Sequence, residues 1–225
     1  MRKGIATVSL SGVLQVLWGL VLSHSASTED IAFGLVVLGR PSQLPRVEEM
    51  VGLFINTIPV RLRMDRSASL RQVLQAQQAR ALASEPHHYG SLAEVQALTP
   101  LRGTLLTHAL VFENYPLDRA QIAATGREAG LDITRTEHFA RETYDLVVNI
   151  ELTDTLSVSF CYNAAVHDES TVRGAAELLQ ELCAAADAEQ TLEALEQQVL
   201  THVRGRNKRK QSAALSALRA RKPSA

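Results

Sequence analysis

Apolar residues fall along this chain in two rhythms, one helical and one strand-like. No charged residue occurs from Ile5 to Leu22, and Val13, Leu14, Leu17, Trp18, Val21 and Leu22 recur at the spacing of one helix face. Residues 31–38 are almost continuously apolar and close on Gly39-Arg40-Pro41, which predicts a strand covered on both faces followed by a turn. A second apolar run, residues 51–61, is broken by Asn56 and Thr57 and predicts a buried strand. Its Pro59 must sit where no neighbour demands an N–H.

Ser67 or Ser69 caps a predicted helix with Leu70, Val73, Leu74 and Leu82 near one face, and Pro86 helps to end it. Gln75, Gln77, Gln78 and Arg80 are then expected to face solvent or another subunit. Ser91 and Glu94 have capping-box spacing, predicting a helix to about Leu98 that Thr99-Pro100 stops. Strands are predicted at 107–112, 132–138, 144–151 and 156–162. In the last, Leu156, Val158, Phe160 and Tyr162 alternate with Ser157, Ser159 and Cys161. Asn114-Tyr115-Pro116 reads as a turn, and the stretch from there to Gly130 as a loop with a brief helix. Asp168 or Ser170 opens a helix through Val172, Ala175, Leu178, Leu179 and Leu182, and residues 192–203 form another. Strands mixed with helices in this order predict an α/β fold, a layered mixed sheet with flanking helices.

With 225 residues, 46% of them hydrophobic, the chain can bury a sizeable core. Its formal charge of -1 hides an asymmetry: eight of the 23 basic residues and none of the 24 acidic ones follow Gln197. Residues 204–225 are therefore expected to be a basic tail or linker beyond a unit spanning 1–203. Nucleic-acid binding is not expected, because that tail has no aromatic residue to stack on bases. Two cysteines, Cys161 and Cys183, lack the number and spacing of a disulfide framework or zinc site, so both are expected as reduced thiols of a cytosolic protein. Arg2-Lys3 ahead of the uncharged run imitates a secretion signal. Ser9, Ser11, Gly12 and Gln15 dilute that run, and its helical periodicity favours a buried helix over a signal or a membrane span.

Chemistry enters through ordered motifs. Gly39-Arg40-Pro41, then Val47-Glu48-Glu49-Met50 running into Val51 to Thr57, then Gln77-Gln78-Ala79-Arg80, His87 to Gln96, and Leu110-Val111-Phe112-Glu113-Asn114-Tyr115-Pro116 occur in sequence. Together they resemble the "GRP…VEEMVGLFINT" and "LVFENYP" signatures of nonribosomal peptide synthetase condensation domains, over about residues 5 to 200. The resemblance implies the C-terminal lobe of a chloramphenicol-acetyltransferase-like domain of two lobes. In that family the catalytic HHxxxDG motif lies on the first lobe. Here the only His pair, His87-His88, continues Tyr89-Gly90-Ser91 with no Asp-Gly, so no catalytic residue is assigned.

The complete domain of that family joins a carrier-bound acyl or peptidyl thioester to the amine of a carrier-bound aminoacyl thioester. The implied partners are a first lobe and peptidyl carrier proteins or neighbouring synthetase modules; no membrane is expected. No cofactor is expected on the chain itself, only the phosphopantetheine arms of the carriers. The resemblance sets Phe54, Asn56, Thr57, Arg61 and Asn114 at the substrate tunnel or lobe interface. On the residues alone, Asn56 and Thr57 serve equally to tie strands together, Arg61 and Arg40 to form ordinary surface contacts, and Asn114 to cap a turn. A non-catalytic module that docks carriers or a partner enzyme is the alternative, prompted by the basic tail.

Overall fold

A computed structural model describes residues 8–40, 44–113, 143–152 and 155–220. The uncharged N-terminal run becomes α1 (Leu10–Ala26), opened by Ser9, whose hydroxyl accepts the Gly12 N–H, and closed by Ser27 in the left-handed region at φ 50°. It is buried almost all round, so the single packed face read from the sequence understates its position. At its middle the helix meets β2 (Ile55–Arg63) so closely that a Cβ on Gly19 would lie 2.6 Å from Leu62 Cδ1. No helix among the described residues is long and apolar enough to cross a membrane.

The sheet has the order β2-β1-β3-β4-β5, with β1 (Asp30–Leu38), β3 (His108–Phe112), β4 (Leu146–Leu152) and β5 (Leu156–Tyr162). β1 runs antiparallel to β2 and parallel to β3, β3 parallel to β4, and β4 antiparallel to β5. The expected layered mixed sheet is therefore present. Pro59 lies on β2, the outermost strand at that side of the described sheet, where a missing N–H is tolerated. Alternate strand residues (Phe33, Leu35, Val60, Leu62, Leu110, Val148, Ile150) join α1, α2 (Leu70–Ser84), α4 (Glu169–Ala185) and α5 (Leu192–Ala220) in one apolar core. A short α3 (Leu92–Ala97) contacts β2.

Polar groups inside this core are mostly paired. Gln77 Nε2 donates to Gln15 Oε1 at 2.8 Å, and Gln15 Nε2 to Ser11 Oγ at 2.9 Å, clasping α2 to α1. Gln77 is thus buried rather than solvent-facing, while Leu82, read as part of the apolar face, is exposed. At the far end of α1 the buried Glu196 accepts from Arg66 and pairs with His24 Nδ1 at 2.9 Å. Ser69 caps α2 in a full capping box with Gln72. Ser91 precedes α3 without a side-chain cap bond, so the capping box predicted there with Glu94 is not made. α5 continues through position 204, and Arg206 is held by Glu177 (2.8 Å) and Glu181 (2.5 Å) of α4. The strand predicted at 132–138 and the loop before it lie outside the described residues.

Candidate functional site at the carboxyl ends of the parallel strands

β1 and β3 run parallel and end side by side at Leu38 and Phe112, and a cleft of about 870 Å3 opens beyond them. Crevices at the carboxyl ends of parallel strands are the usual ligand sites of open α/β sheets, because the connecting backbone diverges there. Leu35, Leu38, Ile55, Leu82 and Phe112 give this cleft an apolar floor, and Arg40, Glu85, His88 and Tyr89 contribute polar groups. Burial pushes the His88 imidazole below its ordinary pKa against the opposing pull of Glu85. Its Nε2 lies 3.2 Å from Ser84 Oγ. His87 is exposed.

Along one rim lies the loop joining β1 to β2. The Gly39 N–H donates to the Phe54 carbonyl at 2.6 Å, pinching its neck. Arg40 then turns back across it. Its Nη1 donates to the carbonyls of Val47 and Met50 (3.1 Å to Met50), and its guanidinium stacks on the Phe54 ring, 4.2 Å from the centroid. Planarity and several donors let one arginine do both. The segments Gly39-Arg40 and Val47 to Phe54, separate in sequence, are thus one folded unit.

That unit corrects the expected buried strand at 51–61. Pairing begins only at Ile55, and before it Val51 is 103% and Leu53 90% exposed. The physical reason is the Arg40 brace, which satisfies the loop's carbonyls and leaves its apolar side chains outside. Phe54 is half-buried beneath Arg40. Asn56 is paired: its Nδ2 donates to the carbonyls of His88 (2.7 Å) and Gly90 (2.9 Å), while its Oδ1 accepts the Thr57 N–H at 2.9 Å. It pins the segment after α2 to the start of β2, forming one wall of the cleft. Thr57 fills the space that Gly34 leaves, since a Cβ there would meet Thr57 Cγ2 at 2.9 Å.

Arg61 sits apart, near the other end of β2. It grips Asp30 through two bonds of 2.7 and 2.5 Å, and this pairing holds the exposed Asp30 carboxyl below its usual pKa. Asn114 lies outside the described residues. Phe54, Asn56 and Thr57 are thus brought together near the cleft and Arg61 is not. Sequence reasoning missed Glu85 and Tyr89 as lining and Arg40 as the brace; the presence of Gly39-Arg40 a few residues ahead of the Val47 to Phe54 stretch, within one resemblance, was the available signal.

Known proteins resemble this chain. The Condensation domain family matches residues 6–206. Tyrocidine synthase 2 of Brevibacillus parabrevis is 40% identical over 176 residues, covering 78% of this chain and 5% of that protein. The starter condensation domain of rhizomide synthetase, in a mutant form, superposes with a TM-score of 0.62 at 20% identity, over 82% of this chain and 44% of that one. A four-domain nonribosomal peptide synthetase bound to AMP and glycine does so with a TM-score of 0.64 at 18% identity, over 83% and 15%. This chain therefore spans under half of each of these proteins.

Proposed function

Because this chain belongs to the condensation-domain family, we propose that it is the acceptor-side lobe of an amide-forming unit, the other lobe being supplied by a separate segment. The carrying observation is the exposed apolar rim beside the cleft, formed by Val51, Leu53 and Ile55 within the matched region. Large exposed apolar groups mark surfaces that another protein segment covers.

The reaction of the complete domain is attack of an aminoacyl amine on an acyl thioester. The amine nitrogen forms a bond to the thioester carbon, the carbon–sulfur bond breaks, and the nitrogen's proton leaves with the pantetheine thiol. Such a step needs a group to take or orient the proton, donors for the developing oxyanion, and exclusion of water. This lobe contributes the last of these through the apolar cleft floor, and Asn56 keeps the 88–90 wall in place. The proton-handling group belongs to an HHxxxDG motif, which this sequence does not contain. The partners are carrier proteins whose phosphopantetheine arms deliver both thioesters. Arg206 ties the start of the basic stretch 204–225 to α4, and residues 207–225 lead on from there as a linker.

Joining Met1 to a first half bearing HHxxxDG, and adding two loaded carriers, is expected to give amide product by mass spectrometry. A correctly folded joined protein that gives none overturns the reading. The second reading, a carrier-docking module, draws on the eight basic residues after Gln197. It predicts that deleting residues 207–225 weakens binding of a carrier protein in a salt-dependent way; unchanged binding removes it.

A further inference from the structure

The end of α2 forms part of the cleft wall, and its electrostatics are one-sided. No basic residue stands in the last turn of α2, and Glu85 follows at its C-cap. A helix C-terminus is the negative end of the backbone dipole, so a carboxylate there meets like charge and a cation is favoured. Ala81, Leu82 and Glu85 all line the cleft. Among the described residues Glu85 has no ion-pair partner. Arg40, the other charged residue lining the cleft, is occupied by the Val47 and Met50 carbonyls and the Phe54 ring. Arg80 and His87, near Glu85 in sequence, do not line it.

His88 adds a second acceptor. The Ser84 hydroxyl donates its one hydrogen to the Ala81 carbonyl at 2.8 Å, so toward His88 Nε2, 3.2 Å away, its oxygen can only accept. Nε2 therefore carries the imidazole hydrogen. Nδ1 keeps a lone pair and has no partner among the described residues. Burial lowers the pKa of this ring, and Asn56 fixes the backbone beside it through the His88 and Gly90 carbonyls. A carboxylate, an imidazole lone pair and the negative end of a helix thus share one wall above an apolar floor.

We propose that Glu85 and His88 Nδ1 form a cation subsite of the cleft, and that its ligand is a primary ammonium at the end of a methylene chain, the side chain of a lysine-like acceptor amino acid. The proposal rests on the acceptor-side reading above and names the acceptor's side-chain class. The acceptor's α-amine is not the group held here. It must be neutral to attack a thioester, and a carboxylate gripping it as an ammonium would keep its lone pair protonated. A side-chain ammonium has no such duty. Its methylenes suit Leu35, Leu38, Ile55, Leu82 and Phe112, and its three donors suit the acceptors on the wall.

The test is an NMR titration of the chain alone with the N-methylamides of lysine, norleucine and glutamate, which share the α-amine and differ in the side-chain terminus. The lysine amide is expected to bind roughly fivefold tighter than the norleucine amide, the size of one exposed ion pair at a helix end, and to shift the amides of residues 81–90. The glutamate amide should bind weakest. Glu85→Gln should bring the lysine-to-norleucine ratio to about one, and Glu85→Asp should keep a preference of about twofold. Equal binding of lysine and norleucine amides, no binding of either, or a lysine preference that survives Glu85→Gln overturns the subsite. In the protein joined to a first half, equal kcat/KM for lysyl and norleucyl acceptors overturns the subsite and spares the acceptor-side reading. A joined protein that forms no amide overturns that reading, while the binding ratio of the chain alone still decides the subsite.

Discussion

Two stretches of this chain look alike on a hydropathy plot and behave oppositely. Residues 10–22 and 50–58 are both predominantly apolar, with a few polar residues set into each. In the first, every large side chain from Val13 to Val21 is buried, and Gln15 is paired with Ser11 and Gln77. In the second, Val51 and Leu53 stand in solvent, and the polar Asn56 is the well-partnered member. Apolar character says that a segment will be covered. Whether the cover comes from the same chain depends on contacts that no local pattern contains.

The contrast can be broken most forcefully at Trp18, which is 1% exposed and packs against the His108 and Phe160 rings. Trp18→Ala is expected to cost about 3–5 kcal/mol in denaturant unfolding. A cost below about 1 kcal/mol would mean that α1 is not the core element described.

His108 sharpens the same side of the comparison. Burial pushes its imidazole down to about 4, and its Nε2 has no partner among the described residues. Its neighbours are the Trp18 and Phe33 rings and the Thr107 hydroxyl, with His167 the nearby ionisable group. The folded chain therefore holds His108 neutral where the unfolded chain takes up a proton. Stability is full above the ordinary histidine pKa of about 6.5 and falls as pH drops toward 4, by up to about 3 kcal/mol. Unfolding midpoints measured between pH 7 and 4 should show this decline, and His108→Leu should remove most of it.

On the other side, Asn56→Ala removes the bonds to His88 and Gly90 and leaves carbonyls at a half-buried wall. The expected loss is about 1–2 kcal/mol, with faster exchange confined to residues 88–90. Val51→Asp and Leu53→Asp mark the small end: each should change the stability of the chain alone by less than about 0.5 kcal/mol. A larger loss would show that the loop is covered by its own chain after all.

How much of this could be read in advance follows from the same division. α1, β1 and the α2 cap were legible because local spacing and a capping serine determine them. The alternation in β5 was legible too, since each strand residue reports its own face. Gln77 was misread because its partner, Gln15, lies 62 positions away, and a glutamine at a solvent-like register gives no sign of a buried mate. Leu82 was misread for the converse reason, since its helix outlasts the core it packs on. In the candidate site, the motif drew attention to Phe54, Asn56 and Thr57, which lie beside the cleft, but it did not reveal that Arg40 braces the loop before them. The backbone carbonyls of Val47 and Met50 that its guanidinium bonds carry no side-chain identity for sequence reasoning to find. Arg61 forms an exposed ion pair with Asp30, the ordinary surface contact that its residue type alone suggests.

The most direct test of the account is amide formation by the purified chain alone, supplied with one acyl-loaded and one aminoacyl-loaded carrier protein and followed by mass spectrometry. No product above the carrier-only background is expected, since the proposed function assigns the proton-handling motif to another segment. Amide product made by this chain alone would contradict it.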